Sequence, residues 1–295
     1  MTRRRVVVAA AILGVAAVLL AGDEALRVSR RVAGTLHPPR MQVTGVPSLA
    51  PLVPVALRTV DGLTLRGWYV PSKNGAAVVL GHGHGGERGQ LAFEAGALAL
   101  RGFGVLLFDW RGHGESEGSE TTWGWKEQRD LAAAIDYVVH RPDVDSTRIG
   151  ALGFSMGANT VAVAAGRDHR LRAIVLEGAF TSLEDMIRHD EGKYGWYSEH
   201  FAVRALRRAG IPLDSVRPAA VLCRVSPRPV LIVNGAEDED TPVATARKLF
   251  DAACEPKELL IVPRAGHNDY AAGGPALATK LGDFFVNALR PGAPR

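Results

Sequence analysis

Three side chains far apart in the chain are of the types that nucleophilic acyl transfer needs. The first lies in Gly153-Phe154-Ser155-Met156-Gly157, between the apolar run Ile149–Leu152 and the small-residue stretch Met156–Ala165. The run reads as a strand and the stretch as a helix. A serine at such a sharp strand-to-helix turn is held in a strained backbone conformation that lifts its hydroxyl clear of the sheet. Side chains at the flanking positions would collide with neighbouring backbone, which explains the glycines. A hydroxyl needs a base to take its proton. His267, in Gly266-His267-Asn268 after the strand-like run Glu258–Val262, is the candidate. An acid must then hold the imidazole Nδ1–H and stabilise the imidazolium. Asp238, in the loop Asn234–Asp238 after the run Val230–Val233, is placed to do so. Glu237, Glu239 and Asp240 crowd the same loop. A solvated acidic turn is therefore the competing reading, and Asp240 the second candidate.

The reaction also needs donors for a developing oxyanion. The loop Gly81-His82-Gly83-His84-Gly85-Gly86 follows another short apolar run, and its glycines let backbone approach a substrate carbonyl. The expected donors are the N–H of Met156, at the start of a helix whose dipole favours negative charge, and the N–H of His84. Each such donor is worth about 3–4 kcal/mol in a transition state. A phosphate loop is a poor alternative, since no Lys-Ser/Thr follows the glycines. A metal site on His82 and His84 is poor too, because two histidines at i, i+2 in a loop that itself holds no carboxylate are a poor ligand set. No metal or organic cofactor is implied.

The elements that would position these groups alternate. Val55–Val60 and Leu63–Val70 read as strands joined by the turn Asp61-Gly62. From Ala76 onward, short apolar strands at Ala76–Gly81, Val105–Phe108, Ile149–Leu152, Leu171–Leu176, Val230–Val233 and Glu258–Val262 are interleaved with helices. The helix over 125–139 shows Leu131, Ala134, Ile135 and Val138 on one face. This alternation predicts an α/β fold with a mostly parallel sheet and helices on both faces. About residues 179–227 interrupt it and read as a short helical cap. Its Tyr194, Trp196, Tyr197 and Phe201 fit either the wall of an acyl pocket or the core of the cap.

The chain order Ser155, Asp238, His267, each after a strand, together with the GxSxG turn, resembles the α/β-hydrolase superfamily over about residues 55–289. Asp109-Trp110-Arg111-Gly112-His113-Gly114-Glu115-Ser116 resembles that superfamily's D-x-R-G-x-G-x-S loop, which shapes the top edge of the sheet and is not catalytic. Gly235-x-x-Asp238-x-x-x-Pro242 resembles its acid loop, and this spacing selects Asp238. The resemblance implies a serine hydrolase acting on carboxylic esters through an acyl-enzyme. A peptidase, amidase or thioesterase on the same three residues is the nearest alternative, and a non-catalytic binding protein on this fold the more distant one.

Charge and hydropathy concern the N-terminus. Arg3, Arg4 and Arg5 precede an uncharged run, Val6–Gly22, ended by Asp23 and Glu24. Seven arginines within residues 1–40 account for the whole basic excess, and the remainder carries net −1. Nucleic acid is therefore not an expected partner. Residues 1–24 are expected to be a membrane anchor with the catalytic body extracytoplasmic; a cleaved signal peptide and a secreted enzyme are the alternative. Residues 25–54, with Pro38, Pro39, Pro47, Pro51 and Pro54, are expected as an extended linker, and residues 55–291 as the catalytic domain. A small ester, lipid-derived if the anchor holds the enzyme near lipid, is the expected substrate. Cys223 and Cys254 read as two free thiols, or as a disulfide in an exported domain.

Overall fold

The computed structural model describes residues 3–46 and 51–292. Its strands are β1 (Val53–Arg58), β2 (Thr64–Val70), β3 (Ala77–Gly81), β4 (Gly104–Phe108), β5 (Ile149–Phe154), β6 (Leu171–Glu177), β7 (Val230–Gly235) and β8 (Lys257–Val262). They form one sheet in the order β1-β2-β4-β3-β5-β6-β7-β8. The β1–β2 hairpin turns at Asp61-Gly62, where Gly62 takes φ +90°. β2 meets β4 antiparallel, and every pairing from β4 to β8 is parallel. Every residue of β3, β4 and β5 is buried. That is the reason these strands read as unbroken apolar runs: helices cover both of their faces.

The helices are α1 (Arg3–Leu36), α2 (Ala92–Leu100), α3 (Glu127–Val139), α4 (Met156–Ala165), α5 (Leu183–Gly192), α6 (Trp196–Arg208), α7 (Pro218–Val221), α8 (Val243–Ala252) and α9 (Gly274–Ala288). One face of the sheet shares its core with α3, α4 and α8, the other with α2 and α9. The α3 stripe Leu131, Ala134, Ile135 and Val138 is wholly buried on the first face. α/β architecture, mostly parallel sheet and flanking helices agree with the sequence.

Three expectations need correction. First, residues 25–36 are not linker. They continue α1, which runs about 50 Å at 1.5 Å per residue. Val28, Val32 and Leu36, spaced four apart on one helix face, bury against Leu183, Ile187, Ala202 and Leu206 of the cap helices α5 and α6. The apolar run as far as Gly22 stays exposed. The segment without regular structure begins only after Leu36, and Pro47 lies outside the described residues. Second, Tyr194, Trp196 and Tyr197 neither fill the cap core nor line a pocket over Ser155. They are exposed on the outer surface of the cap, where the Trp196 and Tyr197 rings stack on each other; the cap core is aliphatic, with Phe201 half-buried at its margin. Third, Cys223 and Cys254 are joined in a disulfide, with Cα atoms 4.5 Å apart. It ties the end of the cap insertion to the segment after α8.

Candidate active site

The β5–α4 turn is tight enough to dictate its own sequence. A Cβ on Gly153 would lie 2.3 Å from the Gly157 carbonyl oxygen, and one on Gly157 would lie 2.1 Å from that of Gly81. Both positions exclude any side chain. Between them Ser155 sits at φ 52°, ψ −116°. A non-glycine residue in such a region is strained and persists only where its surroundings over-determine it. Its N–H donates to the Glu177 carbonyl at 2.8 Å, fixing the turn to β6.

The structure brings Ser155, His267 and Asp238 together. Ser155 Oγ stands 3.0 Å from His267 Nε2, and His267 Nδ1 stands 2.8 Å from Asp238 Oδ2. The Asp238 carboxylate is held from several sides. The Thr241 amide donates to Oδ1 at 2.7 Å, the Thr241 hydroxyl to Oδ2 at 2.7 Å and the Tyr270 hydroxyl to Oδ2 at 2.8 Å. Burial by itself would raise this carboxyl, but His267 and the Thr241 donors outweigh it and leave it below the ordinary carboxylate range. Asp238 is therefore ionised at neutral pH and orients the ring so that Nε2 faces the serine. Asp240, the second candidate, is exposed.

The loop after β3 is locked amide by amide. Gly83 N donates to Gln90 Oε1 at 2.8 Å, Gly85 N to His113 Nε2 at 3.0 Å and Gly86 N to the Gly83 carbonyl at 3.2 Å. Among the described residues, the amides of His84 and Met156 have no such acceptor. The two histidines of this loop are committed elsewhere. His82 accepts from the Trp110 amide at Nε2 and faces the Gly83 carbonyl through Nδ1, so its proton is on Nδ1. The His84 ring stacks on Trp123, with centroids 4.1 Å apart, and its Nε2 lies 2.6 Å from the Thr35 carbonyl at the end of α1. Burial pushes His82 well below its ordinary value and His84 down to about 4, so the loop carries no charge near neutral pH.

The Asp109–Ser116 loop buttresses this arrangement. Buried Asp109 accepts from the Arg88 amide at 2.7 Å, from the Arg88 guanidinium at 2.6 Å and from the Glu115 amide at 3.0 Å. Arg111 bridges Asp130 and Asp61, and His113 supports Gly85. Arg40 donates to the carbonyls of Gly114, Ser116 and Gly118 at 2.6–2.8 Å, so the segment after α1 clamps the same loop.

Sequence reasoning missed Thr241, Tyr270, Gln90, Trp123 and Thr35. Thr241 carries a local signal, since an Asp three residues before a Thr-Pro forms a side-chain turn. Trp123 carries none: it meets His84 through its left-handed backbone, φ 57°.

A nucleophile turn on the fifth strand of a mostly parallel sheet, with an acid and a histidine from the loops after β7 and β8, defines an α/β-hydrolase. Among solved structures, an esterase of Pyrococcus furiosus superposes with TM-score 0.73 at 24% identity, covering 86% of this chain and 98% of that one. A dienelactone hydrolase of Anabaena variabilis gives 0.59 at 21%, covering 81% and 98%. Residues 89–291 match the prolyl oligopeptidase family model, and this chain belongs to that family of serine hydrolases. Among relatives, the uncharacterized protein Rv2307c of Mycobacterium tuberculosis is 35% identical over 231 residues, 76% of each chain. YfhR of Escherichia coli K12 is 30% identical over 242 residues, 78% of this chain and 79% of that one.

Proposed function

We propose that this protein hydrolyses carboxylic esters through an acyl-enzyme, with Ser155 as nucleophile, His267 as general base and Asp238 as the acid that orients it. His267 takes the Ser155 proton as the hydroxyl attacks the ester carbonyl. The oxyanion rests on the amides of Met156 and His84. His267 hands the proton to the departing alcohol and then activates water against the acyl-enzyme. The observation that carries this reading is the continuous pair of contacts from Ser155 Oγ through the imidazole to Asp238 at 3.0 and 2.8 Å.

The test is labelling by a fluorophosphonate probe together with turnover of p-nitrophenyl esters of graded chain length. Wild type should label and turn over, and Ser155→Ala should lose the label and all but about one part in a thousand or less of kcat. A folded wild type that neither labels nor cleaves any ester overturns the reading. The peptidase match keeps amide cleavage as a second reading, and comparing esters with aminoacyl anilides of the same acyl group separates the two.

The exposed apolar run of α1 has the length and composition to cross a membrane. We read it as an anchor, with the arginines of residues 3–5 on the cytoplasmic side, the catalytic body on the other, and lipid-derived esters within reach. Fractionation and protease protection of the full chain test this placement.

A further inference from the structure

Beside the His267 loop, on the sheet face covered by α2 and α9, lies a cavity of about 60 Å³ lined in part by Gln90, Glu94, Phe154, Glu177, Asn268 and Tyr270. By the rule that one water needs about 10–15 Å³ of such space, it has room for a few water-sized groups and none for a ring. Two of its walls are acids. Glu177 is fully buried and Glu94 is 4% exposed. Neither carboxylate oxygen of Glu177 has a protein partner. A buried, unpartnered acid is costly to keep, and nothing in the triad geometry uses it. The lining holds no Lys, Arg or His to balance the pair. Its remaining walls include the Asn268 amide and the rings of Phe154 and Tyr270, and an aromatic face favours a cation. The cavity adjoins the proposed base: the Phe154 and His267 ring centroids are 5.0 Å apart, and Asn268 follows His267 in the chain.

We propose that the Glu94–Glu177 cavity is a cation subsite, taking a primary ammonium group or an alkali cation of similar size. Its use on substrate rests on the ester-hydrolase reading. His267 delivers its proton to the leaving group, and the cavity borders the loop that carries His267. An ammonium head there would meet two carboxyls and select amine-bearing leaving groups. Burial holds the Glu94 carboxyl up to about 7 and pushes Glu177 well above the carboxylate range, with Glu94 raising it further. A bound cation takes the place of a proton held by the pair, which is released to solvent.

Two measurements on the full chain in detergent separate the sources of the cation. The first is thermal unfolding in sodium, potassium or ammonium chloride against tetramethylammonium chloride at equal ionic strength. At pH 8 a small cation should raise the wild-type Tm above the tetramethylammonium value. The gain should vanish in Glu177→Gln and shrink at pH 5, where protons occupy the pair. The second is kcat/KM for a series of ω-aminoalkyl butyrates against n-alkyl butyrates of matched length, taken as a ratio within each protein so that unrelated losses cancel. A substrate ammonium predicts a wild-type ratio of about ten at the best length, falling toward one in Glu177→Gln and in Glu94→Gln. A Tm gain with a ratio of one assigns the site to a free cation. Absence of both effects in wild type, or their survival in both variants, overturns the proposal. Should Glu177→Gln fail to fold, Glu94→Gln carries both measurements. A specific Tm gain in a protein that cleaves no ester at all would sink the hydrolase reading and leave the cation site standing.

Discussion

Two carboxylic acids flank the His267 loop from the ends of neighbouring parallel strands, and they have opposite fates. Asp238 follows β7 and Glu177 ends β6, strands paired in register through Glu177 and Val233. Both are buried, at 4% and 0% exposure. Asp238 faces four donors: His267, the Thr241 amide and hydroxyl, and Tyr270. Glu177 receives none. Desolvation pushes both carboxyls up, yet Asp238 ends below the ordinary range and Glu177 far above it. Depth in the fold therefore does not decide ionisation at this edge of the sheet. The supply of donors does: Thr241 stands three residues on from Asp238, while His267 and Tyr270 reach it from the segment after β8.

The comparison breaks most visibly if Asp238 loses its charge while keeping its shape. Asp238→Asn removes the stabilisation of the imidazolium and allows the wrong tautomer. Kcat on a p-nitrophenyl ester is expected to drop by about 10⁴-fold, as for the equivalent change in other Ser-His-Asp enzymes. A fall under tenfold would mean that His267 is oriented by something else. The sign of the stability effect follows from the lowered carboxyl. Its contribution is present above the ordinary Asp value and is lost as pH falls through the lower folded value. The Tm gap between wild type and Asp238→Asn should therefore narrow on acidification.

The reverse pH dependence is expected of the other acid, with a smaller effect. A carboxyl whose folded value is raised stabilises the fold fully below its unfolded value, and that contribution is lost as pH rises toward the folded one. Glu94 from α2 and Tyr270 from the His267 loop are the titratable groups facing Glu177. In a buffer of large organic cations, the wild-type Tm should fall between pH 5 and pH 8. Glu177→Gln, neutral throughout, should fall less, by a difference on the order of a few °C. Parallel curves would mean that Glu177 is not held protonated, and the contrast between the two acids would collapse.

Much of this arrangement is legible in the residues. The GxSxG turn, the acid loop and the strand-helix alternation are local patterns, each fixed by a steric or periodic rule, and the three side chains meet as their positions after strands imply. What hides is what depends on long-range company. Glu177 ends an ordinary apolar strand, and only the placement of α2 puts Glu94 opposite it. Val28, Val32 and Leu36 read as part of a tether, because a stripe of three on a polar helix becomes a docking face only when α5 and α6 supply the other half. The cap aromatics mislead in the other direction: a large apolar ring argues for burial, yet Trp196 and Tyr197 cover each other on the surface. The roles of Arg40 and Thr35, reaching from the end of α1 to the loops at the site, rest on separations of about fifty to eighty residues, which no local period encodes.

The smallest expected effect touches both acids at once. The Tyr270 hydroxyl donates to Asp238 Oδ2 at 2.8 Å while the same side chain lines the Glu177 cavity. Burial and the adjacent Asp238 charge push the phenol far above its ordinary value, so it remains a donor at every usable pH. Tyr270→Phe keeps the ring against Phe154 and removes only that donor. Asp238 retains His267 and both Thr241 donors, so the loss is that of one hydrogen bond to a charged group, about 1.5–3 kcal/mol at most. Part of this falls equally on ground state and transition state and leaves kcat untouched. The expectation is a kcat lowered by roughly threefold to tenfold with KM for a neutral ester unchanged. The acid-side stability contribution of Asp238 should also be lost at a higher pH than in wild type, since its carboxyl is less depressed. A loss as large as that of Asp238→Asn would show that donors act on this carboxylate as one unit, not singly, and that the contrast with Glu177 is one of all or nothing.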